Sequence, residues 1–304
     1  MSDPLLPSWR VGATRDAILA FLDRVDEIPP EDRVAVFDND GTMWAEKPNY
    51  TQLEFFLLEM QHAVAADPSV GENPVFRAVL DGDRDQLQAF GLEGVATAFL
   101  ELFAGLTPEE FAAKVSTFFA EQQHPRGVHY RQQRYQPMLE LMEELRSRGF
   151  DFYIVTGGGA EFVRVISDDF YGVSPEGVVG SQIGYEFTRD DDGRPRLLRT
   201  DHGVQSGVNE GAAKVSNIHR VLGRRPVVAG GNSAGDAEML EYAMTYDGPS
   251  LAILVNHDDA EREYAYESVA GSFESGESIV DTADRLGWTV ASIRHDWATV
   301  FPDS

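Results

Sequence analysis

Asp38 and Asp40 stand two positions apart in the run Val34-Ala35-Val36-Phe37-Asp38-Asn39-Asp40-Gly41-Thr42. Two carboxylates so placed supply one group that attacks an electrophile and another that moves protons to and from it. Three more polar sets sit at the ends or starts of apolar runs. Thr156 follows Phe152-Tyr153-Ile154-Val155, Lys214 precedes Val215, Ile218, Val221 and Leu222, and Asn232 and Asp236 follow Pro226-Val227-Val228-Ala229. Carboxylate and amide oxygens are the hard ligands that Mg²⁺ prefers. A hydroxyl and an ammonium can hold phosphoryl oxygens while charge spreads over them. The set as a whole is suited to phosphoryl transfer, with a metal offsetting the repulsion among Asp38, Asp40 and Asp236. Alone, Asp38-Asn39-Asp40-Gly41 also reads as a polar turn, since Asn, Asp and Gly are turn residues. The other three sets weigh against that reading.

These residues need elements that bring them together. Val34 to Phe37 is short, continuous and rich in β-branched residues, as a strand buried on both faces would be. Phe152 to Val155, Val227 to Ala229 and Leu251 to Val255 read the same way, with Val178-Val179 as a shorter strand and Trp288 to Ile293 as an edge strand. Helical stripes separate them: Met138, Leu141, Met142 and Leu145 behind Pro137; Phe162, Val163, Ile166 and Phe170; Met239, Leu240 and Ala243; Ile279, Val280, Ala283 and Leu286. A further helix, with Thr14 as its expected N-cap, precedes the first strand. Alternation of this kind predicts an α/β fold with a doubly wound parallel sheet, whose C-terminal strand ends share one ligand-binding edge.

Residues 44–134 break the alternation. Leu53, Phe56, Leu57, Met60 and Val64 form one helical stripe, Val75, Val79 and Leu80 a second, and Val95, Phe99, Leu102 and Phe103 a third. Thr107-Pro108-Glu109-Glu110 opens a fourth helix. We therefore expect two domains, an α/β core of residues 1–43 and 135–304 and an all-helical insertion of residues 44–134. An insertion beside a catalytic edge is most often a lid. Ile183 to Thr188 and Arg196 to Thr200 predict a hairpin around Asp190-Asp191-Asp192-Gly193. Its acidic turn fails the calcium-loop pattern, because Thr188 and Arg199 would fall at the first and last ligand positions.

Composition excludes several functions. The 304 residues carry 25 basic and 51 acidic side chains, a net charge of −26. Such a chain repels nucleic acid and anionic membranes, and any phosphate site in it must supply local positive charge. The absence of Cys removes disulfides, thiolate nucleophiles and Cys-based zinc sites. Met1-Ser2-Asp3-Pro4 has no basic region followed by a long apolar run, and no apolar stretch is long enough to span a bilayer, so a cytoplasmic protein is expected.

The ordered set Asp38-x-Asp40-x-Thr42, Thr156, Lys214 and Gly231-Asn232-Ser233-x-x-Asp236 resembles the four motifs of the haloacid dehalogenase superfamily. It is most similar to the phosphoserine-phosphatase-like hydrolases, and the helical insertion resembles their C1-type cap. The resemblance runs from about Val34 to Val255 and implies a Mg²⁺-dependent phosphatase acting on a small phosphorylated metabolite. By motif, Asp38 would be the nucleophile and a metal ligand. Asp40 would be the general acid/base, with its backbone carbonyl on the metal. Thr156, Gly157 and Lys214 would bind the phosphoryl group, and Asn232 and Asp236 would complete the metal site. One departure stands out: Asn232 occupies a position where many members have Asp, which removes one negative charge from the ligand set.

The leaving group should be chosen by residues near the insertion. Trp44, Glu46, Lys47 and Tyr50 follow the Asp-rich loop, and Arg126, His129, Tyr130 and Arg134 sit at the other end of the insertion. Of these, Trp44, Glu46, Lys47 and Arg126 are the substrate candidates. His257-Asp258-Asp259 follows a buried strand and reads first as a helix cap. Other chemistry remains open at this stage: a dehalogenase or phosphonatase of the same superfamily, or a non-catalytic binding protein on the same fold. A dehalogenase lacks a metal and does not need Asp40, so the presence of Asp40, Lys214 and Asp236 argues against that chemistry. Thr156-Gly157-Gly158-Gly159 is only a fragment of a dinucleotide fingerprint, and the seven His residues form no zinc-protease motif.

Overall fold

The computed structural model describes residues 5–203, 207–268 and 277–302, without the side chains of residues 92 and 93. Met1-Ser2-Asp3-Pro4, read above for a leader, lies outside the described residues. In chain order the elements are α1 (Ala13–Leu22), β1 (Val34–Phe37), α2 (Thr51–Ala66), α3 (Pro74–Asp81), α4 (Arg84–Leu102) and α5 (Pro108–Glu121). Next come α6 (Gln136–Ser147), β2 (Asp151–Gly159), α7 (Ala160–Tyr171), β3 (Val178–Ser181), β4 (Ile183–Arg189) and β5 (Pro195–Gly203). The last elements are α8 (Ala212–Leu222), β6 (Val228–Gly231), α9 (Ala237–Met244), β7 (Leu251–Asn256), α10 (Ile279–Leu286), β8 (Thr289–Ser292) and α11 (Ile293–Asp296). They divide into two compact units. One comprises Met1–Pro48, Gln123–Gly180 and Val208–Ser304, the other Asn49–Gln122 and Ser181–Gly207.

The first unit is built on a six-stranded sheet in the order β3-β2-β1-β6-β7-β8. β1 runs parallel to β2 and β6, and β7 runs parallel to β6 and β8. All four residues of β1 are fully buried, which explains their unbroken apolar run. Val34 and Val36 pack with Val155, Ile218, Ala229, Met239, Leu240 and Leu254. Phe37, the last residue of β1 and fully buried too, stacks its ring on Phe152 with centroids 4.7 Å apart. That ring explains Gly230, where a Cβ would come within 2.4 Å of Phe37. From β1 the chain steps outward to β2 and β3 and later crosses to β6 on the other side of β1, so the order reverses there, where a doubly wound sheet opens its crevice at the C-terminal strand ends. The edge strand expected at Trp288 to Ile293 is β8.

One local expectation changes. α1 begins at Ala13 with Gly12 at its N-cap and no side-chain cap. The Thr14 hydroxyl donates instead to the Val290 carbonyl, 3.2 Å away, tying α1 to β8.

The second unit contains α2 to α5 and the β4–β5 hairpin. Phe55 packs against Phe103, Phe111 and Phe118, and a second cluster joins Met60, Val75, Phe76, Ala98 and Phe99. α5 starts where the sequence predicts, with Thr107 at its N-cap and Pro108 at N1, and Thr107 and Glu110 cap it reciprocally. The hairpin is held to these helices by backbone bonds between Gly105 or Leu106 and Arg199, with the Arg199 guanidinium 3.8 Å from the centre of the Phe111 ring. In the hairpin turn, Oδ1 of Asp190 accepts from the backbone N–H groups of Asp192 and Arg194. Among the described residues, no helix is long and apolar enough to cross a membrane.

Candidate active site

β1 delivers Asp38 directly. The Asp38 N–H donates to the Gly230 carbonyl at 2.9 Å, extending the β1–β6 ladder by one residue. The chain then turns tightly. The Asn39 carbonyl accepts from the N–H groups of Thr42, Met43 and Trp44, and the Gly41 N–H donates to the Trp44 carbonyl. Gly41 has φ +76°, and a Cβ there would lie 2.0 Å from Nδ2 of Asn232, so only glycine fits.

Lys214 lies at the centre of the site. Its buried ammonium donates to Oδ1 of Asp38 at 2.6 Å, Oδ1 of Asp236 at 2.6 Å and the Val155 carbonyl at 2.9 Å. Burial disfavours its charge, but Asp236 and Asp38 outweigh that effect and push its pKa up. Oδ2 of Asp236 accepts from the N–H groups of Asn232 and Ser233 and from the Ser233 hydroxyl. The Thr42 hydroxyl donates to Oδ1 of Asn232 at 3.4 Å. Residues from the ends of β1 and β6 and the start of α8, with the Val155 carbonyl of β2, thus meet in one buried network, which the Thr156 hydroxyl does not join.

Asp40 is half-buried and accepts at Oδ1 from the Trp44 indole N–H, 2.9 Å away. Its pKa is raised to about 6, chiefly by burial and also by the charge of Glu46, while the Trp44 bond and Lys214 pull it down. Thr156 is fully buried near the end of β2, and its hydroxyl accepts from the Gly158 N–H at 2.9 Å. A hydroxyl that accepts in this way still has its own hydrogen to donate. Gly157 stands beside Glu210, whose carboxylate a Cβ at that position would meet at 3.0 Å.

The substrate candidates divide. Trp44 contacts Asp40, and Glu46 lies near enough to shift its titration. The Lys47 ammonium is 3.6 Å from Glu46 and 4.7 Å from the centre of the Tyr266 ring. Arg126 goes elsewhere: it is exposed, donates to the Arg262 carbonyl and lies over the Phe301 ring. Arg134 donates to the Phe170 carbonyl, and Tyr130 is buried against the His124 ring. His257 does not cap a helix. Its buried ring meets the Gly41 carbonyl and Glu263, while Asp258 accepts from the Arg294 N–H in the first turn of α11, whose N-cap is Ser292. Nothing in the spacing of Gly41, His257 and Glu263 signals their meeting. Tyr171, which donates to Oδ1 of Asn39 at 2.9 Å, is equally hidden in the sequence as part of a helical stripe.

Among the described residues, no three His, Asp or Glu side chains form a cation site by themselves. The donors available here are mixed, namely the carboxylates of Asp38 and Asp236 and the amide oxygen of Asn232. Burial and the neighbouring Asp236 push the Asp38 pKa well up, even with Lys214 in contact. Two carboxylates share a single ammonium here, and the oxygen donors fit a hard divalent cation such as Mg²⁺.

Two solved structures share this fold. A conserved protein of unknown function from Anaerococcus prevotii is 17% identical with a TM-score of 0.53, the match covering 80% of this chain and 85% of that one. A protein of unknown function from Bordetella pertussis is 18% identical with a TM-score of 0.52, covering 85% and 97%. No curated protein matches the sequence. The model of the haloacid dehalogenase-like hydrolases matches residues 35–241, a span that holds all four polar sets and most of the chain. With the parallel sheet and the Asp38–Lys214–Asp236 cluster at its edge, this chain belongs to the haloacid dehalogenase-like hydrolase family.

Proposed function

We propose that the chain is a Mg²⁺-dependent phosphatase that hydrolyses a small phosphorylated metabolite through an aspartyl-phosphate on Asp38. The observation that carries this reading is the meeting of Asp38 and Asp236 on one buried ammonium, with Asp40 two residues along the same loop. Asp38 attacks phosphorus, and the P–O bond to the leaving group breaks. Asp40, whose pKa of about 6 lets it hold a proton near neutrality, gives that proton to the leaving oxygen. It then takes a proton from the water that attacks the aspartyl-phosphate, which releases phosphate and restores Asp38. Lys214 and the Thr156 hydroxyl balance charge on the phosphoryl oxygens. Asp38, Asn232, Asp236 and the Asp40 carbonyl would hold the cation, which supplies charge neutralisation when bound. The helical insertion, as the cap, selects the leaving group.

The test is phosphate release from an aryl phosphate and then from a panel of phosphorylated metabolites. Turnover should require Mg²⁺ and stop with a chelator. Purified, folded protein that releases no phosphate from any of these with Mg²⁺ would sink the proposal.

A further inference from the structure

We propose that His257, oriented by Glu263, is a positioning residue that holds the Asp38–Trp44 loop in its working geometry. The proposal rests on the phosphatase reading above. His257 immediately follows β7, and its side chain is completely buried, as is that of Glu263. Nε2 lies 2.8 Å from the Gly41 carbonyl oxygen. A carbonyl can only accept, so Nε2 carries the hydrogen and donates it. Nδ1 faces Oε2 of Glu263 at 3.2 Å and donates to it when the ring carries both hydrogens; Oε2 accepts from the Tyr264 N–H as well. Oε1 of Glu263 accepts from the Tyr135 hydroxyl at 3.0 Å. The Tyr266 ring stacks on the imidazole with centroids 4.4 Å apart, fixing its plane.

This network grips the loop at two points. His257 holds the Gly41 carbonyl, and the Tyr135 N–H donates to the Met43 carbonyl at 2.8 Å. Gly41 directly follows Asp40, and the Gly41–Thr42 peptide plane turns with the carbonyl that His257 holds. On the other side of Asp40, its carboxylate is fixed by Trp44. Asp40 is thus held between two bonds, one to its own side chain and one to the peptide after the next. Buried polar groups cost stability unless they are paired. A packing role at position 257 would be met by any flat apolar ring, whereas the bond to Gly41 demands an N–H at the Nε2 position.

Two variants separate these roles. His257→Phe keeps the ring and loses the donor, while His257→Gln places an amide N–H close to where Nε2 was. In the full-length protein with Mg²⁺ and an aryl phosphate, His257→Phe should lower kcat roughly 10- to 100-fold with little change in KM. His257→Gln should recover most of that loss. An independent readout is the Trp44 indole N–H signal in a ¹H–¹⁵N spectrum, assigned with Trp44→Phe. It should move in His257→Phe and return in His257→Gln. A folded His257→Phe with wild-type kcat and an unmoved indole signal overturns the proposal. So does a folded His257→Gln as impaired as His257→Phe, since the role is then packing. If His257→Phe does not fold, His257→Gln decides, by near wild-type kcat in favour or a loss of tenfold or more against. If wild type hydrolyses no phosphomonoester, the phosphatase reading falls, and the indole signal alone decides the positioning claim.

Discussion

The Trp44 indole N–H donates to Oδ1 of Asp40 across 2.9 Å, so the fourth residue after the proposed acid/base carries the group that orients it. That bond favours the ionised carboxylate and partly offsets the upward push of burial, leaving the Asp40 pKa at about 6. As a general acid, Asp40 must be protonated at the outset. kcat/KM should therefore fall as pH rises through about 6. Trp44→Phe removes a bond to the ionised form, so the pKa rises and this limb moves to higher pH. A pH–rate profile of the variant that overlays the wild-type profile would refute the link.

Asp38→Asn should abolish turnover and leave the fold intact. The amide keeps the shape and can still accept from Lys214, but it cannot act as the nucleophile. The measurement is phosphate release beside a thermal unfolding scan. Residual activity within about tenfold of wild type would rule out Asp38 as the attacking group.

Lys214→Met should destabilise the protein strongly, by about 3–5 kcal/mol, because Asp38 and Asp236 would then face one another in a buried site without a counter-charge. The double variant Lys214→Met/Asp236→Asn should regain part of that loss by removing one of the two charges. Urea unfolding curves for the single and double variants check both statements. Equal stability of the two would show that Asp236 does not depend on the ammonium.

Asn232→Asp should tighten Mg²⁺ binding if the position-232 oxygen is a ligand, since a carboxylate adds a negative charge to the donor set. Calorimetric titration with Mg²⁺ reads this without turnover. An unchanged midpoint would remove residue 232 from the ligand set.

Most of the fold can be read from the sequence because its signals are local. β1 is a run of four apolar residues buried on both faces, and α5 announces itself by Thr107-Pro108-Glu109-Glu110. The four polar sets are legible for a related reason, since each lies against an apolar run that marks its element. Other features depend on contacts distant in the chain. The hairpin at Ile183 to Gly203 carries no mark of its attachment to the helical unit, which is made by backbone bonds between residues 105–106 and Arg199. Thr14 has the side chain of an N-cap, yet its hydroxyl is taken by Val290 from β8. Arg126 stands at the end of the insertion as a candidate substrate contact, but it is drawn to the Arg262 carbonyl and the Phe301 ring. His257 and Gly41 are 216 positions apart, and only the adjacency of β6 to both β1 and β7 brings them together.

The three bonds of Lys214 have a consequence for how substrate enters. An ammonium has three hydrogens, and here Asp38, Asp236 and the Val155 carbonyl take all of them. An arriving phosphoryl oxygen therefore cannot add a fourth bond and must trade places with one of the three. The natural partner to yield is Asp38, which has to swing from nitrogen to phosphorus to react. On the proposed mechanism, the contact that restrains Asp38 in the free protein is the one a phosphoryl group would displace from Lys214, so substrate binding would itself free Asp38 for attack.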